Sequence, residues 1–304
     1  MARLVFLGTP RAAAVSLQAV VAAGHDVALV VSRPDTRRGR GSTRTPSPTK
    51  RAALDLGLDV TDRLDDVSGI EAELGIVVAY GRLVPSSLLT ALAMVNVHFS
   101  LLPRWRGAAP VERAVLAGDT ETGVCLMRLE ETLDTGPVLA SRRVAIGERE
   151  HVSALTDRLA VIGAELLVDS LAGGVDALRA GSPQRGEPTY APKVLPDELR
   201  LDWALPASHL ERVVRLDRAW TTFRGERLLV LDAVARPALL PSHGDEGAPG
   251  PPGTLTGTSV ATGDGVLELL EVQAAGKRPV PASAWWRGVR TQPGETLGNG
   301  EQRR

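Results

Sequence analysis

Short apolar runs alternate with helical stretches through the first half of the chain. The first run, residues 3–7, ends at a Gly-Thr-Pro turn, and a stretch of small and apolar residues follows it up to Gly24. Unbroken apolar runs of this length are typical of buried parallel strands, and a proline suits the first turn of a helix. Further apolar runs at 27–31, 74–79 and 94–99 repeat the pattern. It predicts an α/β fold with a doubly wound, mostly parallel, Rossmann-like sheet.

The second half of the chain changes character. Apolar residues recur at helical spacing from 148 to 172, which predicts one long amphipathic helix. Residues 181–204 are rich in proline and polar side chains, which indicates a linker. Beyond them, short apolar segments punctuated by glycine and proline indicate a small β-barrel. We therefore expect an α/β catalytic domain over residues 1–180, a linker over 181–204 and a C-terminal, oligonucleotide-binding-like β-barrel domain over 205–304.

Composition narrows the class of protein. Of the 304 residues, 43% are hydrophobic and 23% are charged, which is the balance of a soluble globular protein. Cys125 is the single cysteine, which excludes an intrachain disulfide and a cysteine-rich zinc site. No apolar run reaches transmembrane length, and the chain begins directly with the first strand rather than with a signal peptide. We therefore expect a cytoplasmic protein without membrane contact.

Candidate chemistry lies at the end of the run at 94–99. Asn96 and His98 are two residues apart on a predicted strand, so their side chains point to the same face. Pro103 then begins a loop, and open α/β sheets place their chemistry in loops past the carboxyl ends of strands. Asp134 follows in an Asp-Thr-Gly turn that can return a carboxylate to the imidazole. An amide, an imidazole and a carboxylate together supply an oxyanion donor, a proton-transfer group and an orienting base.

Each of these signals has an ordinary alternative. A single histidine is more often a surface or core residue than a catalyst, and Asp-Thr-Gly is a common turn. Three motifs in one order are more specific: Asn-Val-His-x-Ser-Leu-Leu-Pro at 96–103, Arg-Gly-Ala-Ala-Pro at 106–110 and Leu-Asp-Thr-Gly at 133–136. In this order they resemble the 10-formyltetrahydrofolate-dependent formyltransferases, and more narrowly the members that formylate initiator Met-tRNA. The resemblance extends over nearly the whole chain.

Charge is unevenly distributed along the chain. The formal net charge is −1, but the segment 33–51 holds seven basic residues against Asp35, a net +6 that leaves −7 on the remainder. Such a segment is either a binding surface for a polyanion or a solvated basic loop, and charge alone does not separate the two. It resembles the inserted loop with which the tRNA-specific members contact the acceptor stem. The resemblance implies tRNA contacts from Arg33, Arg37, Arg38, Arg40, Arg44 and Lys50, and from Lys193 in the Thr-Tyr-Ala-Pro-Lys segment.

The resemblance also implies the reaction. The formyl group of 10-formyltetrahydrofolate, a cosubstrate, would pass to the α-amine of methionine on initiator Met-tRNA, in support of translation initiation. Asn96 and protonated His98 would donate to the developing oxyanion, and Asp134 would orient His98. No metal is implied, and a monomer is expected. The implied folate-binding residues are Tyr80, Gly81, Ser100, Leu101, Leu102 and Pro103.

Two alternatives stay open. A formyltransferase for an amino sugar or another small amine would share the catalytic motif, although it would lack the basic insertion. A hydrolase or a binding module could keep the folate pocket without transfer. Two departures from the family pattern bear on the site and on the barrel. Phe99 stands where many members carry a small residue, and the segment between Arg215 and Trp220 is short.

Overall fold

The computed structural model describes most of the chain, in residues 1–37, 44–237, 250–292 and 294–298. Its contacts divide the chain into two compact units. The first unit comprises residues 1–114, 120–146 and 154–193, and the second comprises residues 115–119, 147–153 and 194–304. None of the described helices combines the length and the hydropathy that a membrane span requires.

The segment expected to be a linker, 181–204, is divided between the two units. Ser182 exchanges two backbone hydrogen bonds with Val138, at 2.8 and 2.9 Å. Tyr190–Ala191 pairs in parallel with Arg106–Gly107. These backbone hydrogen bonds hold the first part of the segment within the first unit, although its proline-rich composition is that of a linker.

A seven-stranded sheet forms the first unit. Its strands are β1 (Arg3–Gly8), β2 (Asp26–Val31), β3 (Val60–Thr61), β4 (Leu74–Val78), β5 (Met94–His98), β6 (Glu121–Arg128) and β7 (Val138–Ala145). They lie in the order β7-β6-β5-β4-β1-β2-β3. The last five strands are parallel to one another, β6 is antiparallel to β5, and β7 is antiparallel to β6. Because β4 is buried along its whole length, it appears in the sequence as an unbroken apolar run. The predicted α/β class is confirmed.

Local sequence signals set several helix ends. Ser47 caps the second helix, because its hydroxyl accepts the backbone N–H of Lys50 at 3.0 Å and Pro48 occupies the first turn. That helix therefore begins at Pro48. The long helix predicted from residue 148 begins at Val152. The described helices are Arg11–Ala22, Pro48–Asp55, Ser86–Ala91, Pro110–Ala117, Val152–Ala172, Ala207–Val214 and Ala282–Val289.

The two ends of the basic loop are joined to each other. Thr36–Arg37 pairs antiparallel with Arg44–Thr45, so the predicted loop begins and ends as a short hairpin. Nearer the sheet, the hydroxyl oxygens of Ser32 and Ser47 lie 2.6 Å apart, and both residues are buried. The loop therefore leaves β2 and enters the following helix through one fixed point. The residues between the two short strands lie outside the described part of the chain.

An antiparallel sheet forms most of the second unit, where the sequence predicts an oligonucleotide-binding-like β-barrel. The sequence pattern did not predict the strand Trp220–Phe223 or the helix Ala282–Val289. Each buries a tryptophan, since Trp220 and Trp285 are both only 8% exposed. The strands of this sheet are Trp220–Phe223, Glu226–Arg236, Leu255–Thr256, Ser259–Ala261, Val266–Ala274 and Val280–Pro281.

A histidine–carboxylate pair lies within the second unit. His151 Nδ1 is 2.8 Å from Asp217 Oδ1, and Asp217 Oδ2 accepts the backbone N–H of Ser153 at 2.9 Å. The hydrogen bond to Asp217 raises the pKa of His151 above its ordinary value of 6.5, although burial opposes the rise. Burial acts to raise the pKa of Asp217, but the hydrogen bonds from His151 and Ser153 hold it below its ordinary value of 3.8. The charged pair therefore stabilises the fold fully at pH values between 3.8 and 6.5.

Replacement of His151 by alanine is expected to lower the free energy of unfolding by about 1 kcal/mol near pH 5, because a charge-assisted hydrogen bond at a partly exposed site is lost. A raised folded-state pKa means that the contribution of His151 is complete below pH 6.5 and is lost as the pH rises through the raised value. The contribution of Asp217 is present above pH 3.8 and is lost as the pH falls through its lowered pKa. The difference between the two proteins should therefore shrink on both sides of this window.

Urea unfolding followed by tryptophan fluorescence measures the effect, since Trp203, Trp220, Trp285 and Trp286 all belong to the second unit. His209→Ala is the matched control. Burial and Arg212 lower the pKa of His209, so its pH trend should have the opposite sign. A destabilisation by His151→Ala that is the same at pH 5 and pH 8 would contradict the prediction.

Candidate active site

A cavity of about 560 Å³ opens at the carboxyl ends of β1, β4 and β5. This is the edge at which open α/β sheets bind their ligands. The described residues that line it all belong to the first unit. They are Thr9, Pro10, Arg33, Val77, residues 79–84, residues 96–99, Gly107, Ala108, Pro110, Met127, residues 129–134 and Lys193.

Asn96 and His98 both line this cavity from β5. Alternate positions on a strand face one way, which is why a strand carries the two side chains to one place. His98 is 5% exposed, and its Nε2 lies 2.9 Å from the backbone carbonyl oxygen of Trp105. A carbonyl oxygen can only accept, so Nε2 carries the proton. The ring nitrogen left for proton transfer is therefore Nδ1.

Asp134 lies on the Nδ1 side of the imidazole. Its Oδ2 is 3.7 Å from His98 Nδ1 and accepts the backbone N–H of Gly107 at 2.8 Å. The backbone of Asp134 is left-handed, with φ +53°, which aspartate and asparagine tolerate better than most residues. The separation of 3.7 Å exceeds a direct hydrogen bond. The carboxylate therefore interacts with the imidazole through electrostatics rather than through a hydrogen bond. The hydrogen bond from the N–H of Gly107 fixes its orientation.

The predicted folate-binding residues separate into two groups. Tyr80 and Gly81 line the cavity, in a turn where Ala79 and Gly81 have φ values of +45° and +75°. Ser100, Leu101, Leu102 and Pro103 do not line it. The Ser100 hydroxyl donates instead to the Arg104 carbonyl at 2.6 Å, and the Leu101 side chain packs against Gly123 of β6. Residues 129–134 line this cavity, and folate binding by residues 100–103 stays a prediction.

The predicted tRNA-binding residues are spread over several environments. Arg33 and Lys193 line the cavity, and Arg33 Nη2 donates to the carbonyl of Gly81. Lys50 forms an ion pair with Asp35 at 2.8 Å, so its charge is already compensated. Arg44 is exposed on its short strand. The side chain of Arg37 and the whole of Arg38 and Arg40 lie outside the described part of the chain.

Several residues of the site have no signal in the sequence. Trp105 acts through its carbonyl oxygen and Gly107 through its N–H, and neither group depends on side-chain type. A side chain at Gly107 would meet the Ala191 carbonyl at 2.8 Å, so glycine is required here by the close approach of another segment, not by its N–H. Leu83 and Leu133 also line the cavity, 75% and 50% exposed, on the two loops that border it. Phe99, which departs from the family pattern, is 8% exposed and lines the cavity too.

Neither a metal site nor a reactive thiol is evident beside this cavity. Within the described ranges, no cluster of three histidine, cysteine or acidic side chains could hold a metal ion. Cys125 lies opposite His98 on the neighbouring strand, but burial raises the pKa of its thiol, which keeps it neutral. Asn96, His98 and Asp134 bring an amide, an imidazole and a carboxylate to this cavity.

The two parts of the chain match two family models. The formyl transferase model matches residues 2–171, and the model of the formyl transferase C-terminal domain matches residues 193–290. A solved structure, HypX from Aquifex aeolicus in complex with tetrahydrofolic acid, shares the fold with a TM-score of 0.61 at 17% identity. The match covers 93% of this chain and 46% of that one, so this chain spans about half the length of HypX. Fold, cavity and family models together define the class as formyltransferases.

Closer relatives narrow the class. The chain is 45% identical over 310 residues to the methionyl-tRNA formyltransferase of Clavibacter michiganensis subsp. michiganensis (strain NCPPB 382). This match covers 95% of this chain and 98% of that protein. The chain is also 44% identical over 308 residues to the methionyl-tRNA formyltransferase of Clavibacter sepedonicus, with the same two shares covered. The chain belongs to the methionyl-tRNA formyltransferase family.

Proposed function

We propose that this enzyme transfers the formyl group of 10-formyltetrahydrofolate to the α-amine of methionine on initiator Met-tRNA. The observation that carries the proposal is the meeting of Asn96, His98 and Asp134 at one cavity of the formyltransferase unit. The near full-length identity to two methionyl-tRNA formyltransferases supports the substrate. We also propose that the enzyme acts in the cytoplasm and as a monomer.

The lining of the cavity fits a reduced folate. Apolar side chains of Val77, Val84 and Met127 lie at its inner part, and Leu83 and Leu133 expose apolar surface on its two bordering loops. A flat heterocycle can be covered on both faces by such side chains, which gains about 25 cal/mol for each Å² removed from water. When bound there, the folate supplies an activated formyl group.

Asn96, His98 and Asp134 would have different roles in formyl transfer. His98 Nδ1 would accept the proton that the attacking amine releases, because Nε2–H is held by the Trp105 carbonyl. The Asn96 amide would donate to the formyl oxygen, where negative charge develops. Asp134, at 3.7 Å, would stabilise the imidazolium form of His98, which then returns the proton to the departing nitrogen. In this scheme His98 accepts the amine proton first and donates afterwards, so its role differs from the donation to the oxyanion expected from the sequence.

Two cations of the cavity favour a polyanionic substrate over a small amine. Arg33 and Lys193 line the cavity, and Arg33 is the first residue of the basic segment 33–51, whose short hairpin begins at Thr36. Positive charge thus continues from the cavity along the chain into the segment with net charge +6. The terminal phosphates of a charged tRNA would meet this charge as the aminoacyl end enters.

A substrate comparison tests the proposed function. The purified enzyme and 10-formyltetrahydrofolate are incubated with initiator Met-tRNA, elongator Met-tRNA, free methionine and nucleotide-linked amino sugars. We expect formyl-methionine only on the tRNA, with the initiator preferred in kcat/KM. Formylation of an amino sugar with no product on either tRNA would overturn the proposal and favour a small-amine formyltransferase.

Neutralisation of Arg38, Arg40 and Arg44 together is expected to weaken tRNA binding and flatten its salt dependence. Each phosphate contact contributes a slope of about 0.7–0.9 in a plot of log K against log salt, so three lost contacts should reduce the slope by about 2–3. Filter binding of initiator Met-tRNA at several salt concentrations measures both quantities. Folate affinity should not change, because the substitutions leave every described residue of the cavity lining in place.

The control for this variant removes the same charge elsewhere. Arg3, Arg142 and Arg143 are each paired with acidic side chains in the first unit. Their replacement by alanine should leave the salt slope unchanged, since cations that are already compensated release few counterions. If the two triple variants had the same slope as the wild-type enzyme, the basic segment would be a solvated loop without a role in binding.

A further inference from the structure

The Gln184 side chain connects the turn that carries Asp134 to the segment that carries Arg106 and Gly107. Its side-chain Nε2 donates to the backbone carbonyl of Asp134 at 2.8 Å and to that of Gly136, also at 2.8 Å. Its Oε1 accepts from Arg106, at 3.1 Å from Nε and 2.6 Å from Nη2. The N–H groups of this half-buried amide thus bind one segment, and its oxygen binds another that is far away in sequence.

We propose that Gln184 is a positioning residue for formyl transfer, acting on the Asp134 carboxylate through the backbone that carries it. Gln184 does not line the cavity, so it has no route to the reacting atoms except through its partners. The inference rests on the proposed function only in that Asp134 belongs to the transfer machinery.

The hydrogen bonds form a closed ring around the carboxylate. Gln184 holds the Asp134 carbonyl, the Asp134 carboxylate accepts the N–H of Gly107, and Arg106, the neighbour of Gly107, returns to Gln184. Asp134 needs this support because its backbone is left-handed, with φ +53°. Loss of one member would leave the carboxylate anchored from one side only. A displacement of about 1 Å at a catalytic group can reduce a rate about 10²-fold.

Only a primary amide satisfies this position. The two carbonyls of the turn require two donors, and the guanidinium of Arg106 requires an acceptor. A carboxylate of the same shape would keep the Arg106 contact but set its oxygens against two carbonyl oxygens. Gln184→Glu is therefore an isosteric change that repels the turn, and Gln184→Met is a neutral change of similar length that merely releases it.

Steady-state formylation of initiator Met-tRNA tests the proposal. Gln184→Glu should lower kcat by about 10–100-fold with KM for tRNA and for folate nearly unchanged, and Gln184→Met should lower kcat less. Gln273→Glu is the matched control, because Gln273 Nε2 also donates to a backbone carbonyl, that of Lys277, in the second unit. The control should keep the wild-type kcat. Thermal midpoints identify any variant whose loss of activity reflects unfolding.

A double-mutant cycle separates positioning from a general structural effect. In the Asp134→Asn background the carboxylate charge is already gone, so Gln184→Glu should reduce kcat far less than it does in the wild-type enzyme. Equal fold-losses in both backgrounds, or wild-type kcat in Gln184→Glu, would overturn the inference. A wild-type enzyme that formylated no tRNA would instead overturn the proposed function.

Discussion

His98→Ala is expected to lose about 10²–10⁴-fold in kcat, the range usual for a group that transfers a proton in the transition state. Nδ1 is the one ring nitrogen available for that transfer, since Nε2 donates to the Trp105 carbonyl at 2.9 Å. KM for tRNA should change little, because the imidazole acts on the reacting nitrogen rather than on the phosphates. Single-turnover rates at saturating tRNA and folate measure the loss without the step of product release.

His151→Ala is the control for this prediction, because it removes a histidine that also faces an aspartate but belongs to the second unit. It should keep the wild-type single-turnover rate at pH 7. A folded His98→Ala enzyme, with normal folate affinity and a rate close to that of the wild type, would show that His98 is a buried structural histidine.

Asp134→Asn should reduce kcat by a similar factor, about 10²–10⁴-fold, while the loop keeps its shape. Asparagine tolerates the left-handed backbone at φ +53°, and its carbonyl oxygen can still accept the N–H of Gly107. The change therefore removes the negative charge opposite His98 and little else. Asp134→Ala would confuse this effect with backbone strain, which makes asparagine the sharper variant.

Glu131→Gln controls for charge in the same cavity, which Glu131 also lines. If electrostatics at His98 is the cause, Glu131→Gln should keep most of the activity, and only Asp134→Asn should lose it. Folate affinity by fluorescence titration should be nearly equal in the two variants. Comparable losses of kcat in both would indicate that general cavity charge, rather than the carboxylate facing His98, matters for the reaction.

The sheet and the polar triad could be predicted because both depend on side chains. Buried parallel strands need apolar residues on both faces, so β1, β4 and β5 stand out as apolar runs. Asn96 and His98 share a face because strands have a period of two. The choice between Nδ1 and Nε2 of His98 could not be predicted, because a backbone carbonyl decides it and every residue has one.

Prediction was weakest where backbone pairing overrides composition. Residues 181–193 have the proline and polar content of a linker, yet backbone hydrogen bonds of Ser182 and Thr189 tie them to Val138 and Arg106. Nothing in side-chain type signals such pairs. The strand Trp220–Phe223 is four residues long and follows a short turn at Asp217, too brief for an alternating pattern to emerge.

The buried Ser32–Ser47 pair makes the basic segment an exchangeable module. The two ends of the segment are fastened to each other by residues that lie outside its tip, through the hydroxyl pair and through the pairing of Thr36–Arg37 with Arg44–Thr45. Doubling the length of a closed loop changes the free energy of folding by only about 0.6 kcal/mol. A tip of different length or charge could therefore be grafted between Arg37 and Arg44 without disturbing β2 or the helix at Pro48. Reach toward a nucleic acid can then vary independently of the chemistry at His98.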